Sequence, residues 1–563
     1  MSTTGRLLSV TCVLLVAKLA FGGTLHYRDA SFDWSSLPSS TNLTWLSCFS
    51  TFECARLTVP LQYSNPGAGE AQIALIKSPS SFARTDSRFA GSLLVNPGGP
   101  GTSAVDFVRA NVAEVRPFLG PQYDIIGFDP RVVGHTTPPL SLFASAPEAL
   151  VFYAPYPQNV GPDGARLGRM HAQAQILGEL AAARAARVAA SVSTPAGARD
   201  MFAIMTALGE RTLNYYGISY GTVLGATFAA MYPDYVGRFV LDGVVDAPGW
   251  YSGDLSPSLS DTATALSAVL AACTAAGPAC ALGAPTPAGV RARLDAALDR
   301  LSAAPLPVFD ASTGMFAVVG YETLYARLLG ALQSPYEAAA PFFAAVAALE
   351  RGDGAPLLGA GGTNVASFAT CDFGVPYVAG FLDVRAPILC GDALGDTVKS
   401  LGETREAFRR YVHVSEFAQA WCPLEDGLCT GWMIRAADPF NGSLTASTSA
   451  PVLVTSNLRD PLAPISKYHL PPPLLSLLTT TSARALAAAL PGAVLLAQNA
   501  TGKAMNSRTD DAQHTALAGF AACTGAAIRA YLASGALPTR GTVCQSGAVI
   551  FGDASAGGGA GAV

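Results

Sequence analysis

One short run, Leu213 to Gly225, constrains the fold of this chain more than any other. It begins with residues typical of a buried strand, passes through Gly-x-Ser-x-Gly centred on Ser219, and continues as a helix-forming stretch. A serine on so sharp a strand–helix turn needs a strained backbone, and flanking glycines let the helix pack close to the strand. Because the chain has 56 glycines, a chance match is the alternative. The strand before the motif and the helix after it favour a turn that presents the Ser219 hydroxyl as a nucleophile.

Strand and helix patterns alternate on both sides of this run. A hairpin around Asn65-Pro66-Gly67 opens the pattern. Thr194-Pro195 begins one of the helices, with Thr194 as its cap, and Gly209 ends it. Short apolar runs that predict strands lie at residues 92–95, 123–128, 213–217 and 239–241. Such alternation predicts an α/β fold with a mostly parallel sheet flanked by helices.

The pattern changes after Trp250. From 251 to 440 the chain is Ala-rich and helical, with Pro/Gly breaks and no strand alternation. Strand patterns return at 451–455 and 493–497, so the middle segment is predicted to be a helical cap inserted into an α/β-hydrolase core. The predicted division is a signal peptide at 1–22, the N-terminal part of the core at 23–250, the cap at 251–440, the C-terminal part of the core at 441–552 and a disordered tail at 553–563.

The N-terminus favours export. Arg6 precedes an apolar run that ends in small residues, which is typical of a secretory signal. A membrane anchor is the alternative, but the run is short and Lys18 interrupts it, so we expect no stable membrane association. Removal of Cys12 with the leader leaves ten of the 11 cysteines, an even number. Spacings that suit short disulfide loops occur at Cys48/Cys54, Cys273/Cys280 and Cys422/Cys429.

Glycosylation sequons at Asn42, Asn441 and Asn499 are compatible with the same secreted, extracellular location. The net charge of -5 and the absence of a Lys/Arg cluster argue against nucleic acid as a partner. The sequence gives no indication of the oligomeric state.

A serine nucleophile needs a base and an acid, and in this fold they follow it in the order Ser, acid, His. Asp460 is the predicted acid because it lies just beyond the strand pattern at 451–455; a solvated loop aspartate is the alternative. His469 is too close to Asp460 for a helix and a strand to intervene. His514 is therefore the predicted base, with a surface histidine as the alternative.

The oxyanion of an acyl-transfer reaction needs preorganised donors, and Asn96-Pro97-Gly98-Gly99-Pro100-Gly101 follows a predicted strand where such a loop belongs. One donor is assigned to the amide of Gly98 or Gly99, and the other to the amide of Tyr220. A plain Pro/Gly turn is the alternative, while a phosphate cradle lacks its Gly-Lys-Ser/Thr ending.

These motifs resemble those of the secreted tripeptidyl aminopeptidases, which are related to prolyl aminopeptidases within the α/β hydrolases. The similarity covers most of the mature chain and is carried by residues 95–101, 124–131, 198–200, 215–222, 238–243 and 531–544. It implies a peptide substrate, release of short peptides (tripeptides) from a free N-terminus through an acyl-enzyme, and no metal or organic cofactor. It also implies disulfides between Cys390 and Cys429 and between Cys523 and Cys544, and leaves the pairing of Cys371 and Cys422 open.

The chain departs from the family pattern in two places. Gln513 precedes the predicted base where the family commonly has glycine, after an apparent insertion at 501–511. Residues 132–135 replace the usual Arg-Gly-x-Gly run, which predicts a differently shaped loop. Glu322 and Glu337 are candidates for binding a substrate ammonium. The simpler interpretation is that both are solvated charges on the surface of helices.

Two other function classes share these features. An esterase or lipase uses the same triad, because acyl transfer to serine does not depend on whether oxygen or nitrogen leaves. A non-catalytic binding module on this fold is the second class, and its expected sign is a missing triad member.

Overall fold

The computed structural model of the chain describes residues 32–310, 315–358, 379–465, 483–503 and 521–552. Several predicted features lie outside these residues: the signal peptide, the tail at 553–563, Cys371, His469 and His514. Within the described residues, the fold is built on one large sheet and one two-stranded sheet. The strands are β1 (Ser39–Ser40), β2 (Leu46–Cys48), β3 (Phe52–Pro60), β4 (Glu70–Ser78), β5 (Ser92–Asn96), β6 (Asp124–Phe128), β7 (Leu213–Ile218), β8 (Val236–Asp242), β9 (Leu306–Asp310), β10 (Met315–Val319), β11 (Leu453–Arg459), β12 (Val494–Thr501) and β13 (Val543–Gln545).

The large sheet is mostly parallel, as the alternation predicts. Its order is β1-β3-β4-β6-β5-β7-β8-β11-β12-β13, with β2 paired on β3. The predicted opening hairpin is the antiparallel pair β3–β4, and β4 also runs antiparallel to β6. From β6 to β13 every pairing is parallel. Because the chain winds in opposite directions from β5 and β7, the loops after these two neighbouring strands meet at a topological switch point.

Helices cover both faces of the sheet and fill the segment between β8 and β11. Their bounds are α1 (Ala104–Leu119), α2 (Ala146–Tyr153), α3 (Leu167–Arg184), α4 (Ala186–Ala189), α5 (Thr194–Leu208), α6 (Tyr220–Met231), α7 (Ala247–Ser252), α8 (Thr262–Ala276), α9 (Pro287–Ala303), α10 (Tyr321–Gln333), α11 (Pro335–Glu350), α12 (Phe381–Asp392), α13 (Leu401–Val414), α14 (Ala418–Trp421), α15 (Asp426–Cys429), α16 (Ala483–Ala489) and α17 (Ala522–Ser534).

The central strands are continuously apolar because both of their faces are buried. Successive side chains of β5 show the division: Leu94 packs into the core shared with α5 and α6, while Leu93 and Val95 pack into the core shared with α1 and α17. All three are fully buried. Alternation across the sheet thus places two hydrophobic cores on opposite faces of one set of strands.

The segment between β8 and β11 is not purely helical. Strands β9 and β10 form an antiparallel pair, with Leu306 opposite Val319. Side chains of β9 alternate between half-buried and exposed. The run Leu306-Pro-Val-Phe-Asp310 is too short to stand out from the surrounding Ala-rich text, so the expectation of no strands in this segment was wrong.

The cap of α5 also differs from the prediction. Ser193 takes an extended conformation and its side chain accepts a hydrogen bond from the amide of Ala196, so Ser193 and not Thr194 is the N-cap. The Thr194 hydroxyl instead donates to the buried carboxylate of Asp392. Gly209 ends the helix in the left-handed conformation, as predicted.

Four disulfides are present in the described residues: Cys48–Cys54, Cys273–Cys280, Cys390–Cys429 and Cys523–Cys544. The close spacing of Cys422 and Cys429 does not produce a bond, because Cys429 pairs with Cys390 across 39 residues. Among the described residues Cys422 has no disulfide partner; it is buried, and burial raises the pKa of its thiol.

One helical run, Ser256–Ala279, is long and apolar enough to cross a membrane by length and composition. This evidence is weak because core helices of soluble proteins pass the same test. Leu266, Val269 and Cys273 from this run are buried in the core shared with α5 and α6.

Candidate active site

Ser219 lies on the turn between β7 and α6, at the edge of the sheet where the parallel strands end. Its φ of 55° is in the left-handed region, which non-glycine residues rarely occupy. The turn is held by backbone bonds: the Ser219 amide donates to the carbonyl of Asp242 at 2.9 Å, and the Thr222 amide donates to the carbonyl of Ser219 at 2.8 Å. The strained conformation predicted from Gly-x-Ser-x-Gly is therefore observed.

Both glycines of the motif are required because neighbouring backbone atoms lie too close to leave space for a side chain. A Cβ on Gly217 would lie 2.4 Å from the carbonyl oxygen of Gly221, and a Cβ on Gly221 would lie 2.7 Å from the carbonyl oxygen of Asn96. Neither contact is sterically tolerable. The glycines thus allow α6 to start directly against β7 and the end of β5.

The loop after β5 touches the Ser219 turn. Gly98 has a φ of 96°, and a Cβ there would lie 2.4 Å from the carbonyl oxygen of Ile218 and 3.1 Å from the amide nitrogen of Tyr220. The two segments predicted to supply oxyanion donors are therefore adjacent. The amide of Gly98 donates to the side chain of Asn96 at 2.9 Å, which favours Gly99 over Gly98 as the donor from this loop.

Tyr220 is fixed by its side chain as well as by the helix. Its hydroxyl lies 2.7 Å from the hydroxyl of Thr194, which in turn donates to Asp392. Asp392 is 1% exposed and also accepts from the indole of Trp250 at 2.8 Å. Burial raises the pKa of Asp392 to about 6, against the opposing effect of these hydrogen bonds.

Asp460 follows β11 at the same edge of the sheet. The registers of β7, β8 and β11 bring Ile218, Asp242 and Thr455 side by side, and β11 then continues to Arg459, directly before Asp460. Asp460 is fully buried, and one carboxylate oxygen accepts hydrogen bonds from the amides of Leu462 and Ala463. This is a fixed, desolvated carboxylate, unlike the solvated loop aspartate that was its alternative.

The predicted base, His514, lies outside the described residues, as does His469. The described histidines have other surroundings. His135 stacks on Trp34 with ring centroids 4.7 Å apart, and His171 contacts the hydroxyl of Thr404 at 3.1 Å. His413 is in the last turn of α13.

A group of buried charges lies behind the loop after β5. Arg385, on α12, donates to the carbonyl oxygen of Gly99 at 2.6 Å and forms an ion pair with Glu425. Glu425 is 1% exposed, and burial raises the pKa of its carboxyl against the opposing charge of Arg385. Lys503 interacts electrostatically with Asp460, Arg385 and Glu425, and desolvation lowers the pKa of its ammonium.

These charges were missed in the sequence. Only one signal could have suggested them: charged residues within the otherwise apolar helix α12, which also carries Cys390. Glu425 follows Cys422-Pro-Leu, ahead of the second cysteine of the same disulfide. Glu322, one of the candidates for the substrate ammonium, instead forms an ion pair with Arg166.

The departure from the family pattern at residues 132–135 concerns the backbone conformation of Val132. The family has the run Arg-Gly-x-Gly here, and the φ of Val132, 63°, is in the region that favours glycine. Next to it, Arg131 is 3% exposed and forms a two-point ion pair with Asp200, at 2.7 and 2.8 Å. The loop keeps the glycine-like backbone despite a β-branched side chain.

A cavity of about 570 Å³ lies between α9, α10 and α13, and none of the predicted site residues lines it. Its walls include Asp299, Glu416 and the stacked rings of Tyr321 and Tyr325. No group of His, Cys, Asp and Glu residues in the described part of the chain has the arrangement of a metal site.

Comparison with known proteins agrees with this geometry. A family described as having the alpha/beta hydrolase fold matches residues 91–263, which include both Gly98 and Ser219. Tripeptidyl aminopeptidase of Streptomyces lividans is 33% identical over 242 residues, 41% of this chain and 42% of that protein. Serine protease Hip1 of Mycobacterium tuberculosis is 32% identical over 196 residues, 34% of this chain and 36% of that protein.

A third relative carries a different name. Carboxylesterase B of Mycobacterium tuberculosis is 31% identical over 300 residues, 50% of this chain and 55% of that protein. The matches to the tripeptidyl aminopeptidase and to Hip1 span less than half of the length of either relative.

The sheet order, the strained serine turn and the family match over residues 91–263 show that the chain has the α/β-hydrolase fold. Within that class it is similar to the tripeptidyl aminopeptidases.

Proposed function

We propose that the chain is a secreted serine exopeptidase that releases short peptides, tripeptides by the resemblance, from the free N-terminus of a peptide substrate. The observation that carries the proposal is the strained Ser219 turn, which packs against Gly98. The buried Asp460 lies at the same edge of the sheet as this turn. Relatives named tripeptidyl aminopeptidase and serine protease support the peptide substrate.

In the proposed mechanism Ser219 attacks the scissile carbonyl carbon while His514 takes the hydroxyl proton. Asp460 orients the imidazole and stabilises the imidazolium. The amides of Gly99 and Tyr220 bind the negative oxygen of the tetrahedral intermediate. His514 then protonates the leaving amine, and a water molecule hydrolyses the acyl-enzyme by the same route in reverse.

The proposal includes a division of the chain into a core and a cap. We propose that residues 251–440 form the cap over a core made of 23–250 and 441–552. The helices and the β9–β10 hairpin of this segment lie between two neighbouring parallel strands, β8 and β11, of one sheet. Such an insertion can restrict which substrates reach Ser219 without altering the sheet.

Export is the second part of the proposal. Four disulfides support an oxidising, extracellular location. Of the sequon asparagines, Asn42 and Asn441 are exposed and are the better glycosylation candidates. The amide of Asn499 is already hydrogen-bonded to Gln545 at 2.8 Å.

The test begins with labelling by a fluorophosphonate probe, which reacts with an activated serine. We expect the wild type to label and Ser219→Ala not to label. Thr222→Ser, which keeps a hydroxyl one turn along α6, is the matched control and should label normally. An unlabelled wild type would contradict catalysis and favour the non-catalytic module.

A second step separates peptidase from esterase, the alternative supported by the relative named carboxylesterase B. A peptide with a free amino group, its N-acetylated copy and a simple ester are compared, with products identified by mass spectrometry. An exopeptidase releases fragments of fixed length from the free peptide and rejects the blocked copy. Rapid ester hydrolysis with an intact free peptide would make the chain a carboxylesterase.

A further inference from the structure

One helix, α12, is linked by hydrogen bonds to both residues predicted to supply oxyanion donors, Gly99 and Tyr220. From α12, Arg385 donates to the carbonyl oxygen of Gly99 at 2.6 Å. At the end of the same helix, Asp392 accepts from Thr194, whose hydroxyl contacts that of Tyr220. Phe381 and Val384 of α12 also line the space beside Gly101.

The Gly99 contact adds a charged restraint to a glycine-rich loop. Gly98, Gly99 and Gly101 all have positive φ, so the backbone here loses much conformational freedom when it is ordered. A carbonyl held by a guanidinium is a charge-assisted hydrogen bond, stronger than one between neutral groups. Holding the Gly99 carbonyl fixes the orientation of that residue, and with it the direction of its amide.

Arg385 is itself held rigidly. It is 5% exposed, donates to the carbonyl oxygen of Leu424 at 3.1 Å and forms an ion pair with Glu425. The Cys390–Cys429 disulfide joins α12 to α15, and Glu425 immediately precedes α15. The two partners of the ion pair therefore lie on elements that are covalently joined.

We propose that Arg385 is a positioning residue that holds the oxyanion loop in its reactive conformation through the carbonyl of Gly99, with Glu425 and the Cys390–Cys429 disulfide fixing Arg385 in turn. This inference rests on the proposed function. It assigns to the segment between β8 and β11 a part in positioning the oxyanion loop, besides shaping access to Ser219.

The test uses the full-length protein and two readouts: the rate of fluorophosphonate labelling and the separate values of kcat and KM on a free-amino peptide. Arg385→Met alone would leave Glu425 buried without a partner and risks misfolding, so it is combined with Glu425→Gln. Arg385→Lys keeps the charge but lacks the fork that reaches two partners. Arg435→Met is the matched control, because Arg435 also donates to a carbonyl at the end of α12, that of Ala393, at 3.2 Å.

We expect the double variant to lose about 10- to 100-fold in kcat and in labelling rate, with KM within about threefold of wild type, because misplaced donors weaken only the transition state. Arg385→Lys should recover part of the loss, and Arg435→Met should match wild type. A double variant that folds and labels within about twofold of wild type, or one that raises KM with kcat unchanged, overturns the inference. Should the double variant fail to fold, Arg385→Lys decides alone: full activity overturns the inference, and reduced kcat at constant KM supports it. A wild type that does not label removes the proposed function and this inference with it.

Discussion

The two sides of the candidate site are held in different ways. On the sheet side, Ser219 is held by backbone hydrogen bonds, and the neighbours of Gly98 leave no space for a Cβ. On the cap side the contacts come from buried charged groups. Arg385, paired with Glu425, donates to Gly99, and Asp392 is linked to Tyr220 through Thr194. Backbone contacts do not titrate, whereas buried carboxyls do. The sheet side should therefore be sensitive to shape, and the cap side to pH and to charge.

The largest expected effect is on the sheet side. Gly98→Ala places a Cβ 2.4 Å from the carbonyl oxygen of Ile218, at a φ of 96°. We expect a loss of roughly 1000-fold in kcat/KM, because the loop must move away from Ser219 and Tyr220. Gly209→Ala is the matched control: its φ is 74°, but no atom lies within 4 Å of the added Cβ. It should cost about 1 kcal/mol of stability and no activity. Activity of Gly98→Ala within tenfold of wild type would contradict the packing argument.

The cap side predicts a pH-dependent stability. Burial raises the pKa of Asp426, in α15, from 3.8 to about 7, and its hydrogen bond from Tyr411 opposes this only in part. A carboxyl whose pKa is higher in the folded state stabilises the fold below pH 4, and this contribution is lost as the pH rises to 7. The difference corresponds to up to about 4 kcal/mol of unfolding free energy.

Denaturant unfolding between pH 4 and 8 measures this effect. Stability of the wild type should fall across the range, and Asp426→Asn should flatten the profile. Asp86→Asn is the control, because a hydrogen bond from Arg88 lowers the pKa of the Asp86 carboxyl to about 2, below the range. An equal slope in wild type and Asp426→Asn would show that Asp426 is not the titrating group.

The same contrast explains what the sequence could predict. The sheet side follows from contiguous signals, since Gly-x-Ser-x-Gly and the glycine loop each stand directly after an apolar strand. Arg385 lies 40 residues from Glu425 and 286 residues from Gly99 in the sequence, and no periodic pattern predicts contacts over such separations. The β9–β10 hairpin was missed because short strands in an Ala-rich sequence give little signal. The N-cap of α5 was predicted one residue late because serine and threonine, here Ser193 and Thr194, are both favourable at that position.

Removing disulfides sharpens the comparison within the cap segment. The Cys390–Cys429 bond closes a longer loop than the Cys273–Cys280 bond, 39 residues against 7. Replacing both cysteines by serine should cost about 4 kcal/mol for the first pair and about 2 kcal/mol for the second, from chain entropy. Thermal unfolding gives the stabilities. Only the first replacement should also slow fluorophosphonate labelling, since only that bond joins the elements that carry Arg385 and Glu425. Equal labelling rates of the two variants would show that the Cys390–Cys429 bond does not influence the reactivity of Ser219.

The smallest effect concerns the boundary between the two sides, at the start of α5. Ser193→Ala removes a hydroxyl that accepts from the Ala196 amide at 3.1 Å and donates to the carbonyl of Asp438 at 3.0 Å, and should cost about 1 kcal/mol of stability. Activity should not change, because Ser193 does not contact Tyr220 or Asp392. Thr194→Ser is the matched control, since it keeps the hydroxyl that binds Asp392. The urea unfolding midpoints of the two variants show which residue caps α5. An unchanged midpoint for Ser193→Ala would mean that Thr194 is the N-cap, as the sequence pattern predicted.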